Sequence, residues 1–516
     1  MNSQGTKDSL PFPKSFWTAQ QATPQFPALE ENHTTEIGIV GAGIVGIISA
    51  YLLAKSGKKV VLIEADRLIS GVTGHTTAKI TAQHSLIYDD LIQTFGKEKA
   101  KLYYEANIDG LHFIQQLIEE LQIDCAYETK DAFVYAETDK GQKKLEKEAE
   151  AYQTLGIKGA LTKDKADLPF PIKEALVMYD QAQFDPVRFL TVLVQEIVRL
   201  GGQIYEHTRA VEVIKEKTPM ILTENNSLIL CQKVILATHY PINDADGLYF
   251  TRLSIHRSYA MVMRTASKIP EGMYINAEQP TRSIRSVQGA DGIPLLLIGG
   301  EGHQTGKSSS KTIFHYQDLD AFGKKYFAAQ SPLHLWSSQD LQTLDKLPYI
   351  GQMTKQTEAV LVATGFNKWG MSAGAMAGKL LADSILGTEN SYASLFDPTR
   401  KKLKLSDTQT FLKKNSAVAK DFVTGKLKRP DKNLEDLLLD EGGLVHVHGK
   451  KVGAYRDKQG QLHQTVPVCT HLGCNLDWND AERSWDCACH GSRFSYNGAV
   501  LDGPAVKPLE HPDSQM

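Results

Sequence analysis

The stretch IGIVGAGIVGIISAYLLA at residues 37–54, followed by VVLIE at 60–64, decides how the first domain folds. An uncharged run of this length reaches the lower edge for a membrane span. Gly41, Gly43 and Gly46 divide it instead into a short β-branched strand over 37–40, a tight turn, and a helix from about Ile44. The glycines make G-x-G-x-x-G between strand and helix, and Glu64 closes the next strand. Gly41 permits the turn, Gly43 lets backbone approach a pyrophosphate, and Gly46 lets helix and strand pack closely. The helix N-terminus offers unpaired N–H groups and partial positive charge to phosphates. Glu64 is placed to accept hydrogen bonds from ribose hydroxyls. A glycine-rich packing motif would not need that acid, so the pattern predicts a bound dinucleotide.

The chain has 516 residues, enough for two to four domains. Apolar residues make up 42% and charged residues 23%, ordinary globular usage that excludes a disordered or fibrous chain. A net charge of −3 gives no reason to expect nucleic acid or an anionic membrane as partner. The N-terminus lacks a basic start followed by an apolar core, and no transmembrane segment is predicted, which implies a soluble, cytoplasmic protein. Six cysteines are too few for a disulfide scaffold, but Cys469, Cys474, Cys487 and Cys489 crowd together, which points to a metal.

The identity of the dinucleotide comes from resemblance. SGVTGHTTAKIT (70–81), QFDPVRFLTVLVQEIVRLGGQIYEHTRAVEV (183–213), VILATHYP (234–241) and VLVATGFNKWGMSAGAMAGKLLADSIL (360–386) follow in the order of the FAD-contacting segments of the D-amino-acid oxidase and glycine oxidase family. That resemblance implies FAD held by Gly41, Gly43, Gly46, Glu64, Gly74, His75, Thr76 and Thr77. It further implies Val211 backbone at adenine, Ala237 and Thr238 beside the cofactor, and Gly365, Gly370 and Met371 near the flavin pyrimidine. In relatives that oxidise N-methylated glycines, a histidine near position 75 bonds covalently to flavin. The surrounding GHTTAK departs from that pattern, so His75 is read as a loop histidine close to the cofactor. A second G-x-G-x-x-G is missing from the sequence, which suggests that electrons enter from an organic substrate rather than a nicotinamide.

Near the C-terminus, CTHLGCNLDWNDAERSWDCACHGSRF (469–494) contains Cys469-x-His471 and Cys487-x-x-His490. Two mixed pairs suit a binuclear site with thiolates on one iron and imidazoles on the other. Structural zinc is the competing reading, although zinc modules usually pair like ligands at close spacing. The boxes CTHLGC and CACHGS, with GPAVKPL at 503–509, resemble the Rieske [2Fe-2S] family of cytochrome bc complexes. The resemblance implies Cys469 and Cys487 on one iron, His471 and His490 on the other, and a Cys474–Cys489 disulfide tying the loops. A disulfide is unexpected in a cytosolic protein, and burial beside the cluster would have to shield it. Ser492 matches the serine that donates to a bridging sulfide. Phe494 stands where respiratory relatives have a tyrosine whose hydroxyl bonds a ligand sulfur, so a lower potential is predicted. A second, mononuclear iron of the Rieske-oxygenase kind is not expected.

The sequence therefore predicts four parts. Residues 1–34 form an arm packed on the surface. Residues 35–388 form an α/β FAD-binding, Rossmann-like domain (about 35–115, 181–250 and 336–388) with a β-rich substrate domain (about 116–180 and 251–335). A basic helical linker follows at 389–432, with helical spacing over 415–422, and an all-β Rieske domain at 433–516. From 400 to 432 the charge is +8, and from 433 to 516 it is −5, which suggests linker docking or guidance of an acidic acceptor. The implied function is a flavin dehydrogenase that takes hydride from a small amine or amino acid and relays electrons singly to an external acceptor. Two alternatives remain open: an oxygen-dependent oxidase with a structural or regulatory cluster, and a redox module without a small substrate. Arg257, Arg282 and Arg285 are candidate clamps for a substrate carboxylate. Lys368 and Trp369 are candidates to border the reacting face.

Overall fold

The computed structural model describes residues 10–307, 311–400 and 432–512. The opening stretch folds as strand Ile37–Val40, a turn, helix Ile44–Lys55 and strand Val60–Ile63. Both strands are buried along their whole length, as a parallel sheet covered on two faces requires. They lie in a six-stranded sheet ordered Tyr349–Gln352, Val360–Thr364, Lys233–Leu236, Ile37–Val40, Val60–Ile63, Gln203–Tyr205. Every pairing is parallel except that of the edge strand Tyr349–Gln352. Helix Ser372–Leu386 packs on Ile44–Lys55, with Gly374 and Gly378 admitting Ile44 and Ile48.

A nine-stranded sheet forms the second layer. Its long strands Leu253–Thr265, Pro294–Gln304 and Ala329–Thr343 are antiparallel neighbours. This is the predicted substrate sheet, but it also recruits Lys79–Ile80, next to the dinucleotide loop, against Glu174–Gln183. The C-terminal domain is two four-stranded sheets, one built from 432–465 and one from 476–502. Its cysteines share a core with Trp485 and Phe494.

The N-terminal arm departs from expectation. Phe16 and Trp17 are not on the surface but 2% and 3% exposed, within the main core. The Trp17 indole donates to Thr76 O at 2.7 Å, and the Ser15 hydroxyl to Gly74 O. The arm thus buttresses the loop over 70–77, and apolar burial of two aromatic rings explains why it is drawn inward. The basic linker falls largely outside the described residues, including its predicted helix at 415–422. Its described start carries helix Ala393–Phe396 and Arg400, which is ion-paired to Asp345 at 2.7 Å. Among the described residues no helix is long and apolar enough to cross a membrane.

Candidate dinucleotide cavity and cluster site

A cavity of about 410 Å³ opens at the C-terminal end of the parallel strands. Of the predicted cofactor residues, Gly41, Gly43, Glu64, His75, Thr76, Thr77, Ala237, Thr238, Gly370 and Met371 line it. Gly41 has φ +100°, and a side chain there would strike Ala237 O. Gly46 stands behind the wall: a Cβ at that position would meet Gly41 O at 1.9 Å, so its absence is what seats helix on strand. Gly74 and Gly365 also lie outside the lining, packed on Ile69 O and Thr343 respectively. Val211 sits one residue beyond Ala210, which lines the cavity.

Glu64 accepts from Ala42 N at 2.8 Å and from Asp66 N at 3.2 Å, holding the turn as well as facing the cavity. Burial raises its carboxyl pKa, offset in part by those backbone donors. Thr73 Oγ1 accepts from Ile44 N at 3.1 Å, near the helix start. A cradle of glycine backbone, helix N-terminus and acid is the donor and acceptor set a dinucleotide needs, so the residues fit FAD. His75 borders the cavity with Nδ1 3.0 Å from Gly71 O.

None of the three arginines read as candidate clamps for a substrate carboxylate lines the cavity. Arg257 is 1% exposed and lies 3.1 Å from Glu482 and 3.7 Å from Asp502, both in the C-terminal domain. Arg282 pairs with Glu301 at 2.5 Å. Arg285 donates to Ala78 O and Ser286 O, with burial pushing its pKa down to about 9. Each was legible as a strand arginine, but Glu482 and Ala78, which hold Arg257 and Arg285, are distant in sequence.

The cations that do face the cavity include Lys368, as anticipated, and Lys79, which sequence reasoning missed. Lys368 Nζ donates to Ser258 Oγ at 2.6 Å, and burial lowers its pKa. Lys79 Nζ donates to Tyr274 O and Ser283 Oγ; burial and then the Arg285 charge push its pKa down to about 7. Trp369 also borders the cavity and stacks on His84 at 4.9 Å. Tyr240, Gln339 and Asp340 were missed too, as was the whole wall supplied by Leu501–Val506 of the C-terminal domain. The GPAVKPL loop resembles that of a cluster domain, but nothing local in it signals a dinucleotide neighbour.

The cluster residues converge on one point of the C-terminal core. Cys469 and Cys487 are buried free thiols, and Cys474 and Cys489 are paired as a disulfide in the structure. The sulfurs of Cys474, Cys487 and Cys489 lie within 4.8 Å of one another, and the disulfide leaves Cys487 as the available donor. Hydrogen bonds from Cys487 and Ser492 hold the Cys469 thiol low, while its partner is pushed up. His471 and His490 rings are 5.2 Å apart, and the Nδ1 atoms of both are buried without a partner. Two thiols and two orphaned imidazole nitrogens are the donor set of a two-iron cluster with mixed ligation, so the residues fit it. Ser492 Oγ also accepts from Ala505 N at 3.0 Å, and Phe494 is fully buried beside the thiols.

Comparison with known proteins agrees with both cofactors. Residues 36–384 match the family model described as FAD dependent oxidoreductase, and residues 431–513 match the Rieske [2Fe-2S] domain. The iron–sulfur match displaces zinc as a reading of the four ligands. The chain is 42% identical over 503 residues to YhfW of Bacillus subtilis (strain 168), named as a Rieske 2Fe-2S iron-sulfur protein, covering 97% of this chain and 98% of that one. It is 28% identical over 225 residues to gamma-glutamylputrescine oxidoreductase of Escherichia coli (strain K12), covering 42% of this chain and 52% of that one. The glycine oxidase structure from Geobacillus kaustophilus superposes with TM-score 0.59 at 18% identity, over 72% of this chain and all of that one, which is a likeness of fold.

Proposed function

Because the chain belongs to the FAD dependent oxidoreductase family and carries a Rieske [2Fe-2S] domain, we propose that it is a dehydrogenase of a small amine or amino acid whose electrons leave singly through the cluster to an external acceptor. The observation that carries this reading is one cavity lined jointly by the glycine turn from Gly41 and by Leu501–Val506 of the Rieske domain. A cluster with only a structural role would not need its domain to form a wall of the flavin site. Flavin exchanges electrons in pairs or singly, whereas the cluster takes one at a time, which makes the pairing chemically complementary.

The protein's part is to bind, orient and exclude water. Lys368 and Lys79 are assigned to the acid group of a substrate, in place of the arginines, which are committed elsewhere. A carboxylate held by the lysines that line the cavity would fix the amine-bearing carbon against the flavin ring, and such positioning lowers the barrier without a dedicated base. The substrate class draws support from the name of the gamma-glutamylputrescine relative and from the amino-acid-oxidase fold. The test is an anaerobic screen of amines and amino acids followed by flavin absorbance. A member of that class that bleaches the flavin is the expected result; a full panel that leaves it oxidised contradicts the assignment.

A further inference from the structure

Resting on that reading, we propose that Asp244 and Tyr240 of the flavin domain form a fixed bridge between the cofactor cavity and the cluster, in which Asp244 orients the iron ligand His471 and lowers the cluster potential. Asp244 Oδ2 lies 3.3 Å from His471 Nε2. The same oxygen accepts the Tyr240 hydroxyl at 3.2 Å, and Tyr240 lines the cavity. The chain of contacts thus runs from the flavin site through a phenol and a carboxylate to an imidazole on iron.

The assignment follows from what each nitrogen of His471 does. Nδ1 is buried and unpartnered, free for the metal, while Nε2 faces the carboxylate. A ligating histidine whose other nitrogen faces a carboxylate at this distance is biased to one tautomer and one orientation, and becomes a more electron-rich ligand. Negative charge near the cluster favours its oxidised form, which is the more positive one, so the potential falls.

The segment that presents Asp244 is built for placement. His239, Asn243 and Leu248 all have positive φ, at 61°, 57° and 53°. Such backbone persists only where the surroundings over-determine it. Asn243 Oδ1 accepts from Val213 N at 2.8 Å, and the Thr238 hydroxyl donates to Tyr240 O at 2.7 Å. The same segment reaches the second imidazole: the Phe250 ring meets His490 edge-on at 5.9 Å. Ile255, a few residues on, sits where a Cβ on Gly491 would be, at 2.6 Å. Both histidine ligands are therefore seated on the stretch between strands Lys233–Leu236 and Leu253–Thr265.

No atom crosses the bridge. Its groups keep their protons: a bound reduced flavin would give up two electrons, one at a time, to a bound cluster and release its protons to solvent, and the external acceptor would take each electron from the cluster in turn.

The test uses the full chain loaded with both cofactors and a mediated redox titration followed by the cluster's EPR signal. Asp244→Asn keeps the shape and removes the charge, and raises the midpoint potential. Tyr240→Phe removes the donor that shares the carboxylate's charge, and lowers it. Opposite shifts are the expected pair, and a purely structural role would not produce them. A loaded Asp244→Asn protein with wild-type potential overturns the proposal; if that variant does not load its cluster, Tyr240→Phe at wild-type potential overturns it equally. The titration contains no amine, so its failure is distinct from the failure of any amine to reduce the flavin.

Discussion

Arg257 Nη1, on the sheet facing the flavin cavity, lies 3.1 Å from Glu482 Oε2 of the Rieske domain, and the Arg493 guanidinium closes on the same carboxylate. Arg493 also reaches Asp486 and Asp502, each at 3.0 Å, so two arginines and three acids form one largely buried network across the domain boundary, with Asp502 half-buried. A residue that the sequence offered as a candidate substrate clamp is paired across the boundary with the Rieske domain.

Replacing Arg257 by Met leaves buried acids short of a countercharge, which costs about 3–5 kcal/mol. The loss falls on docking of the Rieske domain. Hydrogen exchange across 482–502 should rise, while the KM for substrate changes little. Unchanged protection with a large rise in KM would return Arg257 to the substrate.

Docking should also depend on pH in one direction. Burial pushes the Glu482 and Asp502 carboxyls up, but the Arg257 and Arg493 charges outweigh it, and both end below their ordinary values. A carboxylate depressed in the docked state stabilises that state above its free pKa of about 4, and the contribution is lost as pH falls through the docked value. Protection of 482–502 should therefore be flat near neutrality and decline in acid below about pH 4. A decline centred near neutrality would contradict this.

Burial, and then the Arg285 charge, push the Lys79 pKa down to about 7, so its charge should be lost as pH rises through that value. Binding of a carboxylate competitor, read from the flavin spectrum, should weaken as pH rises through that value. Lys79→Met should flatten the profile and weaken binding about tenfold, the worth of one hydrogen bond to a charged group. Lys368, held on Ser258, accounts for the binding that remains.

Phe494→Tyr restores a hydroxyl beside Cys469 and Cys487. A donor to a ligand sulfur withdraws electron density, so the potential should rise by on the order of 60 mV for about 1.4 kcal/mol. Redox titration of wild type and variant measures the difference, and equal potentials would refute the argument.

Gly46→Ala forces a methyl to within 1.9 Å of Gly41 O. The helix must shift off its strand, at a cost of about 1–3 kcal/mol, and the phosphate cradle moves with it. The purified variant should lose most of its flavin absorbance; full flavin content would show that the close packing is dispensable.

What could be read in advance were features in which chemistry demands particular residues at short spacing. The glycine turn with Glu64 points to a dinucleotide, and the boxes around Cys469 and Cys487 to a metal centre, because phosphate cradles and metal ligation leave little freedom; family resemblance then supplied FAD and the two-iron cluster. The fate of Arg257 was hidden because its partner Glu482 is 225 residues away and belongs to no motif. Asp244 and Lys79 are single residues whose meaning comes only from what the fold brings opposite them. Phe16 and Trp17 read as scattered aromatics, since periodicity does not reveal which core an arm will enter.

The most direct test of the relay is anaerobic photoreduction of the flavin in the full chain, with flavin absorbance and the cluster EPR signal followed by rapid freezing. The account predicts that the cluster signal grows as the reduced flavin decays, at a rate independent of protein concentration. A cluster that stays oxidised beside reduced flavin, or a rate that scales with concentration, would contradict it.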